Sequence, residues 1–180
     1  MRKVLYIFGL LTDADVEWMA RVGARRRLQD KDVVIREGER NNLVVILLEG
    51  RFAISTERLG EIDRVGTGEI VGEVSLVDSA PASATVTAMG ECVALFLDQK
   101  TLSQKLDTDP GFGRRFYRAL AIFLADRLRE RRRLPSSLER GIGDQTNIVQ
   151  DELDPAILDT VSAAGERFHR MLHAFSGREP

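Results

Sequence analysis

The sequence predicts a mostly β domain framed by helices: an antiparallel, jelly-roll-like β-roll followed by a long helix. Three observations carry that reading. Short runs rich in Val and Ile recur between Arg27 and Leu97, which is strand composition. Turn signals at Glu37-Gly38, Glu49-Gly50, Leu59-Gly60 and Thr67-Gly68 interrupt them, roughly every dozen residues, as in an antiparallel sandwich or barrel. After Asp109-Pro110 the apolar residues Phe112, Phe116, Leu120, Phe123, Leu124 and Leu128 recur at three and four residue intervals, the period of a helix.

The elements follow in order. Thr12-Asp13-Ala14-Asp15 reads as a helix cap with acidic residues in the first turn, and Val16, Met19 and Val22 are spaced to form one buried face. Strands are expected at Val33–Ile35, Leu43–Leu48, Phe52–Ser55, Ile70–Val71, Thr85–Ala88 and Val93–Leu97, placing the roll at about 27–97. The long helix, about 110–133, is apolar on every side from Ala119 to Ala125, so it needs cover on more than one face. One face is covered by the roll, the other by a second copy in a homodimer or by the chain's own C-terminal helix. Residues 134–152 read as a linker. An extra C-terminal helix is expected over 153–176, with Asp154 as N-cap, Pro155 at the first helical position and a seam of Ile157, Val161, Ala164, Phe168, Met171 and Phe175. The organisation is thus one domain over 1–133, a linker and a helix that packs on its own domain or on a dimer mate.

Composition narrows the function classes. At 180 residues with 43% hydrophobic and 30% charged residues, the chain has apolar surface enough for one core. A net charge of −2 argues against a protein that coats nucleic acid, so any basic surface is local. The lone Cys92 requires no oxidising compartment, which points to the cytoplasm. Arg2-Lys3 before the apolar stretch Val4 to Leu11 imitates a signal peptide, but no small-residue cleavage site follows. No apolar run nears the ~18 residues of a membrane span.

The chemistry concentrates between Gly68 and Val86. Gly72 has no Cβ, so backbone there can approach a ligand closely, and the Glu73 carboxylate can accept a hydrogen bond from a sugar hydroxyl. If Val74 to Ser79 is helical, its free N–H groups can face an anion, joined by those of Ser83 and Ala84. Gly72-Glu73, followed by Pro81-Ala82-Ser83-Ala84-Thr85, resembles the phosphate-binding cassette of the cyclic nucleotide-binding domain family, the sensor domain of catabolite activator and protein kinase A regulatory proteins. Ile35-Arg36-Glu37-Gly38-Glu39 and Leu48-Glu49-Gly50 are similar to that family's glycine-marked turns, and the likeness spans about Leu11 to Arg133.

The resemblance implies a ligand site at Gly72, Glu73, Ala82, Ser83, Ala84 and Thr85, with a cyclic nucleotide, cAMP or cGMP, as ligand. It implies no cofactor and no catalysis, and a ligand-driven shift of the helix after the roll that signals through a protein contact. One position departs from the family: the arginine that neutralises the cyclic phosphate is Ala82 here. A hydrogen bond to a charged group contributes ~1.5 to 3 kcal/mol, or roughly 10- to 150-fold in affinity. Three states follow: weakened nucleotide binding, a different ligand, or an empty cassette on a ligand-independent scaffold. Arg51 and Arg64, on strands of the same roll, are candidates for a replacement guanidinium. The Ser83 hydroxyl can serve a phosphate or a guanine base, or be satisfied by neighbouring backbone.

The remaining signals are weaker. Residues 151–180 hold six acidic residues against three arginines, a net of −3 that opposes phosphate contact and disfavours a DNA-binding tail. The basic run Arg127 to Arg133 reads as a solvated helix end suited to the helix dipole. Glu166, His169 and His173 share helical spacing, but two or three ligands on one exposed helix make a poor metal site. No His lies in the predicted strands to ligate a metal there, no catalytic triad is visible, and Cys92 reads as a buried strand residue.

Overall fold

The structure, a computed structural model, describes residues 8–133 and 164–171. A helical turn at 8–10 leads into α1 (Asp13–Val22), then β1 (Ala24–Leu28), β2 (Val33–Ile35), β3 (Leu43–Thr56), β4 (Gly60–Gly66), β5 (Ile70–Val71), α2 (Glu73–Asp78), β6 (Thr85–Asp98), α3 (Gln99–Thr108) and α4 (Pro110–Arg133). A further helix, α5, occupies 164–171. The expected linker over 134–152, Asp154, Pro155 and His173 lie outside the described residues.

The expected antiparallel β-roll with flanking helices is what forms. Its backbone is the order β1-β6-β3-β4, with β2 added to β6 and β5 added to β3. The runs Leu43–Leu48 and Phe52–Ser55 are one strand, β3, and Thr85–Ala88 and Val93–Leu97 are one strand, β6. Their sequence reads as separate runs because the ladder is irregular: register shifts around Glu49. Val45 and Leu47 face the roll interior before that point, and Phe52 and Ile54 after it, so the inward side changes from odd to even residues. An extra residue in one strand has this effect, since side chains alternate with a period of two. Gly50 sits at the irregularity with φ +93°, where a Cβ would lie 2.6 Å from Cys92 Sγ. Cys92 is buried as expected.

β1 carries no strand pattern in sequence because it is Ala-Arg-Arg-Arg-Leu on the sheet edge. It pairs with β6 from Ala24↔Phe96 to Leu28↔Cys92. The Arg26 guanidinium lies 4.8 Å from the Phe96 ring centre, so its stem serves as apolar cover.

β3 and β6 are buried on both faces. Val44, Ile46 and Leu48 join Val93, Leu95 and Leu97 in a core shared with the helices, including Met19, Leu102, Phe112, Phe116 and Phe123. Val45, Leu47, Ala94 and Phe96 fill the roll interior. Val16 and Met19 of α1 are buried as expected, but Val22 is 40% exposed and Ala20 takes its place in the core. A last-turn residue six positions beyond Val16 has rotated off the inward stripe. Ala164 and Met171 of α5 belong to the helical core, and Phe168 meets Phe8 edge-to-face at 5.3 Å. The C-terminal helix therefore packs on its own chain, tied by Arg167, which donates to Asp13 Oδ1 at 2.8 Å and to the carbonyls of Phe8 and Gly9.

α4 starts where Pro110 fixes φ and the Asp109 carboxylate accepts the Phe112 N–H at 2.9 Å. Its position against α1 is set by a two-point ion pair. Arg115 Nε donates to Asp15 Oδ2 at 2.7 Å and Nη2 to Oδ1 at 2.8 Å. Asp15 also closes the α1 cap, accepting the Thr12 N–H at 2.7 Å while its own N–H donates to Thr12 Oγ1. Burial pushes the Asp15 carboxyl up, yet the hydrogen bonds from Arg115 and Thr12 outweigh it and hold the group below its ordinary value.

A carboxyl depressed in the fold contributes stability above its unfolded value and loses it as pH falls through the folded one. Asp15→Asn is expected to cost about 2 to 3 kcal/mol at neutral pH. The gap between wild type and variant should close as urea unfolding is repeated below the ordinary carboxyl value of about 4. A gap constant down to pH 2 would assign the loss to packing rather than to the charge.

Candidate functional site

A cavity of about 460 Å³ opens between the roll, α2 and α4, within the ~300 to 1,000 Å³ usual for small-molecule sites. Its floor is apolar, with Ile35, Ile54, Val71 and Val86 from the strands; its polar groups include Glu73, Ser75, Ser83 and Arg127. Gly72, Glu73, Ala82, Ser83 and Ala84, all expected from sequence, line it together. Thr85 stands behind the wall on β6, where its Oγ1 accepts the Glu37 N–H at 3.1 Å.

Gly72 is the N-cap of α2 in the left-handed region, φ +83°. A Cβ there would come 2.3 Å from the Leu43 carbonyl oxygen and 2.7 Å from Asn41 Nδ2. The close approach is fixed from both sides. Gln99 Nε2 donates to the Gly72 carbonyl at 3.2 Å, and Asn41 Nδ2 donates to the Leu43 carbonyl at 2.7 Å. That geometry sets the first turn of α2, Gly72 to Ser75, on the cavity wall, where a helix start offers N–H donors and positive partial charge.

Ala82 faces the roll interior and belongs to its apolar cluster. Its backbone is committed to the Glu37–Glu39 turn: Ala82 N–H donates to the Glu39 carbonyl at 2.9 Å, and Gly38 N–H to the Ala82 carbonyl at 2.8 Å. The Ala82 backbone is thus tied to that turn at both its N–H and its carbonyl.

The strands bring neither of their candidate guanidiniums to the cavity. Arg64 pairs with Glu61 at 2.6 Å, both exposed, and neither Arg64 nor Arg51 lines the cavity. The guanidinium that does line it belongs to Arg127 of α4. The Arg127 side chain is 14% exposed and that of Glu73 is 3%, and Nη1 donates to Glu73 Oε1 at 3.2 Å. Nη2 lies 3.6 Å from Asp63 Oδ2 on β4, and the guanidinium stands 5.4 Å from the Phe123 ring centre. Burial pushes the Glu73 carboxyl above its ordinary value, and Arg127 pulls it only part of the way back.

Arg127 was expected on a solvated helix end. The signal that places it is positional: Phe116, Leu120, Phe123 and Arg127 follow at four, three and four residues, so Arg127 continues the buried stripe. A cation on an apolar stripe needs an acid opposite it, and the cassette supplies Glu73. Leu124 and Leu128 reach the same cavity from α4.

Gly72→Ala is expected to lose at least about 2 kcal/mol, combining left-handed strain of ~1 to 2 kcal/mol with the backbone clash. Gly60→Ala shares the left-handed conformation, φ +68°, but meets nothing within 4 Å, so chemical denaturation should show a loss of only about 1 kcal/mol. Equal losses at the two sites would mean that Gly72 answers to backbone conformation alone.

Comparison with known proteins agrees with this geometry. The family model for the cyclic nucleotide-binding domain matches residues 25–109. A Rhodopseudomonas palustris protein carrying a potassium-channel name is 28% identical over 111 residues, 61% of this chain and 27% of that protein. The cGMP-dependent protein kinase of Eimeria tenella is 28% identical over 119 residues, 63% of this chain and 12% of the kinase. The chain therefore matches under a third of either relative's length. Among solved structures, a cyclic nucleotide-binding domain from Methylobacillus flagellatus superposes with a TM-score of 0.65 at 22% identity, covering 81% of this chain and 86% of that one. With roll, cassette and matched residues in accord, residues 25–109 belong to the cyclic nucleotide-binding domain family.

Proposed function

We propose that this chain is a regulatory sensor whose cassette binds a cyclic nucleotide weakly and reports occupancy through α4. Domains of this family regulate rather than catalyse. The observation that carries the reading is that α4 is part of the pocket: Leu124, Arg127 and Leu128 line the same cavity as Gly72, Glu73 and Ser83. A ligand in that space touches both the cassette and the helix, so it shifts the helix to the extent that it prefers one placement over another. Weakness follows from Ala82, since an alanine methyl stands where the family has a charge-assisted donor. The cGMP-dependent identity of the Eimeria tenella relative supports a cyclic purine nucleotide as ligand class.

The output is a protein contact on α4. Tyr117 and Leu128, 47% and 55% exposed, are eleven residues apart, about three helical turns, and share a stripe with the exposed Ala121. An exposed apolar stripe on the moving helix suits another protein chain, with a second copy the simplest occupant. The rival reading, a scaffold with a degenerate cassette, draws its support from Ala82 alone.

Thermal-shift titration with cAMP, cGMP and cyclic dinucleotides separates the two. At ~100 times Kd a ligand adds about 2.7 kcal/mol. The expected result is a shift at high cyclic mononucleotide concentration for the wild type, and one at roughly 10- to 150-fold lower concentration for Ala82→Arg. No shift in either protein favours the scaffold. Sedimentation of the same samples tests the second copy, which a monomer with and without ligand would remove.

A further inference from the structure

Among the described residues, Arg127 is the one cationic side chain lining the cavity, and Glu73 is the one anionic side chain. An anion entering this space without Arg127 would meet the buried Glu73 carboxylate with no side-chain cation to offset it, and a like charge in a desolvated site is strongly disfavoured. The hold on Arg127 is loose. Its contacts to Glu73 and Asp63 are 3.2 and 3.6 Å, against the ~2.7 to 2.9 Å of a tight charge-assisted bond. A guanidinium has five donors in a fixed fork, so it can take a new acceptor without abandoning Glu73. The Phe123 ring, its centre 5.4 Å from the guanidinium, is a cation–π partner that the exchange leaves in place.

Resting on the sensor reading above, we propose that Arg127 is the anion-recognising residue of this pocket, supplied by the output helix in place of the arginine that the cassette lacks at Ala82. The ligand's phosphate recruits Arg127, while its sugar hydroxyls take the acceptor sites of Glu73. Recognition of charge and movement of α4 are then one event, because the group that binds the anion is carried by the helix that reports it. A neutral nucleoside can satisfy Glu73 but gives Arg127 no new partner, so it binds without engaging the helix.

Calorimetry with cAMP, cGMP and adenosine on wild type, Arg127→Gln, Arg127→Lys and Ala82→Arg tests this. The expected result is that Arg127→Gln weakens cyclic nucleotides by about 10- to 100-fold and adenosine by far less. Arg127→Lys keeps part of the affinity, since a lysine supplies charge without the fork. In the Ala82→Arg background the loss from Arg127→Gln shrinks, two guanidiniums then serving one phosphate. Equal weakening of adenosine and cAMP would make Arg127 a structural residue and overturn the proposal. Unchanged or tighter cAMP binding by Arg127→Gln would overturn it as well, Arg127 then being a lock on Glu73, with the sensor reading intact. A silent wild type beside a binding Ala82→Arg protein would show that Arg127 does not replace the missing cation. Silence from both would overturn the sensor reading together with the proposal.

Discussion

The buried carboxylate of Glu73 is the constraint around which the rest is arranged. It stands at the start of α2 because Gly72 alone can hold the left-handed turn against the Leu43 carbonyl. Its burial makes a countercharge necessary. Arg127 provides that countercharge from another element, 54 residues along the chain. For Arg127 to reach it, α4 must lie along the mouth of the roll. The Asp109 cap, the Asp15–Arg115 ion pair and the Phe112–Phe116–Phe123 stripe keep it there. Local backbone chemistry, one buried charge and the placement of a long helix are therefore a single linked requirement.

Much of this was legible in the sequence, for physical reasons that differ by element. The roll could be read because strands in contact with two cores must be apolar at every position, and Leu43 to Leu48 is such a run. The cassette could be read because its requirements are local: a residue without Cβ, an acid beside it, and small residues after a proline. The single strand β3 was less legible because its irregularity at Glu49-Gly50 breaks the alternation that identifies strands. β1 was hidden because an edge strand needs hydrogen-bond partners, which sequence does not display, more than apolar side chains.

Arg127 shows the other kind of difficulty. In a basic run, an arginine looks solvated, and charge composition alone gives no reason to separate it from Arg129. Its register on the stripe with Phe116, Leu120 and Phe123 does separate it, but the acid that makes burial tolerable lies in a distant segment. Long-range pairing of this sort is what a linear reading loses first. The same applies to Val22, whose place in the core passes to Ala20 through a rotation set by packing and not by local pattern.

The central claim is that occupancy of the pocket is transmitted to α4 through the Glu73–Arg127 contact. Hydrogen–deuterium exchange of the full chain, with and without saturating cyclic mononucleotide, tests it directly. The account predicts altered protection in two segments at once, residues 72–84 around the cassette and residues 120–129 of α4, with β3 and β6 unchanged. Protection that changes at the cassette while α4 exchanges as before would show a ligand site with no connection to the helix, and would contradict the account.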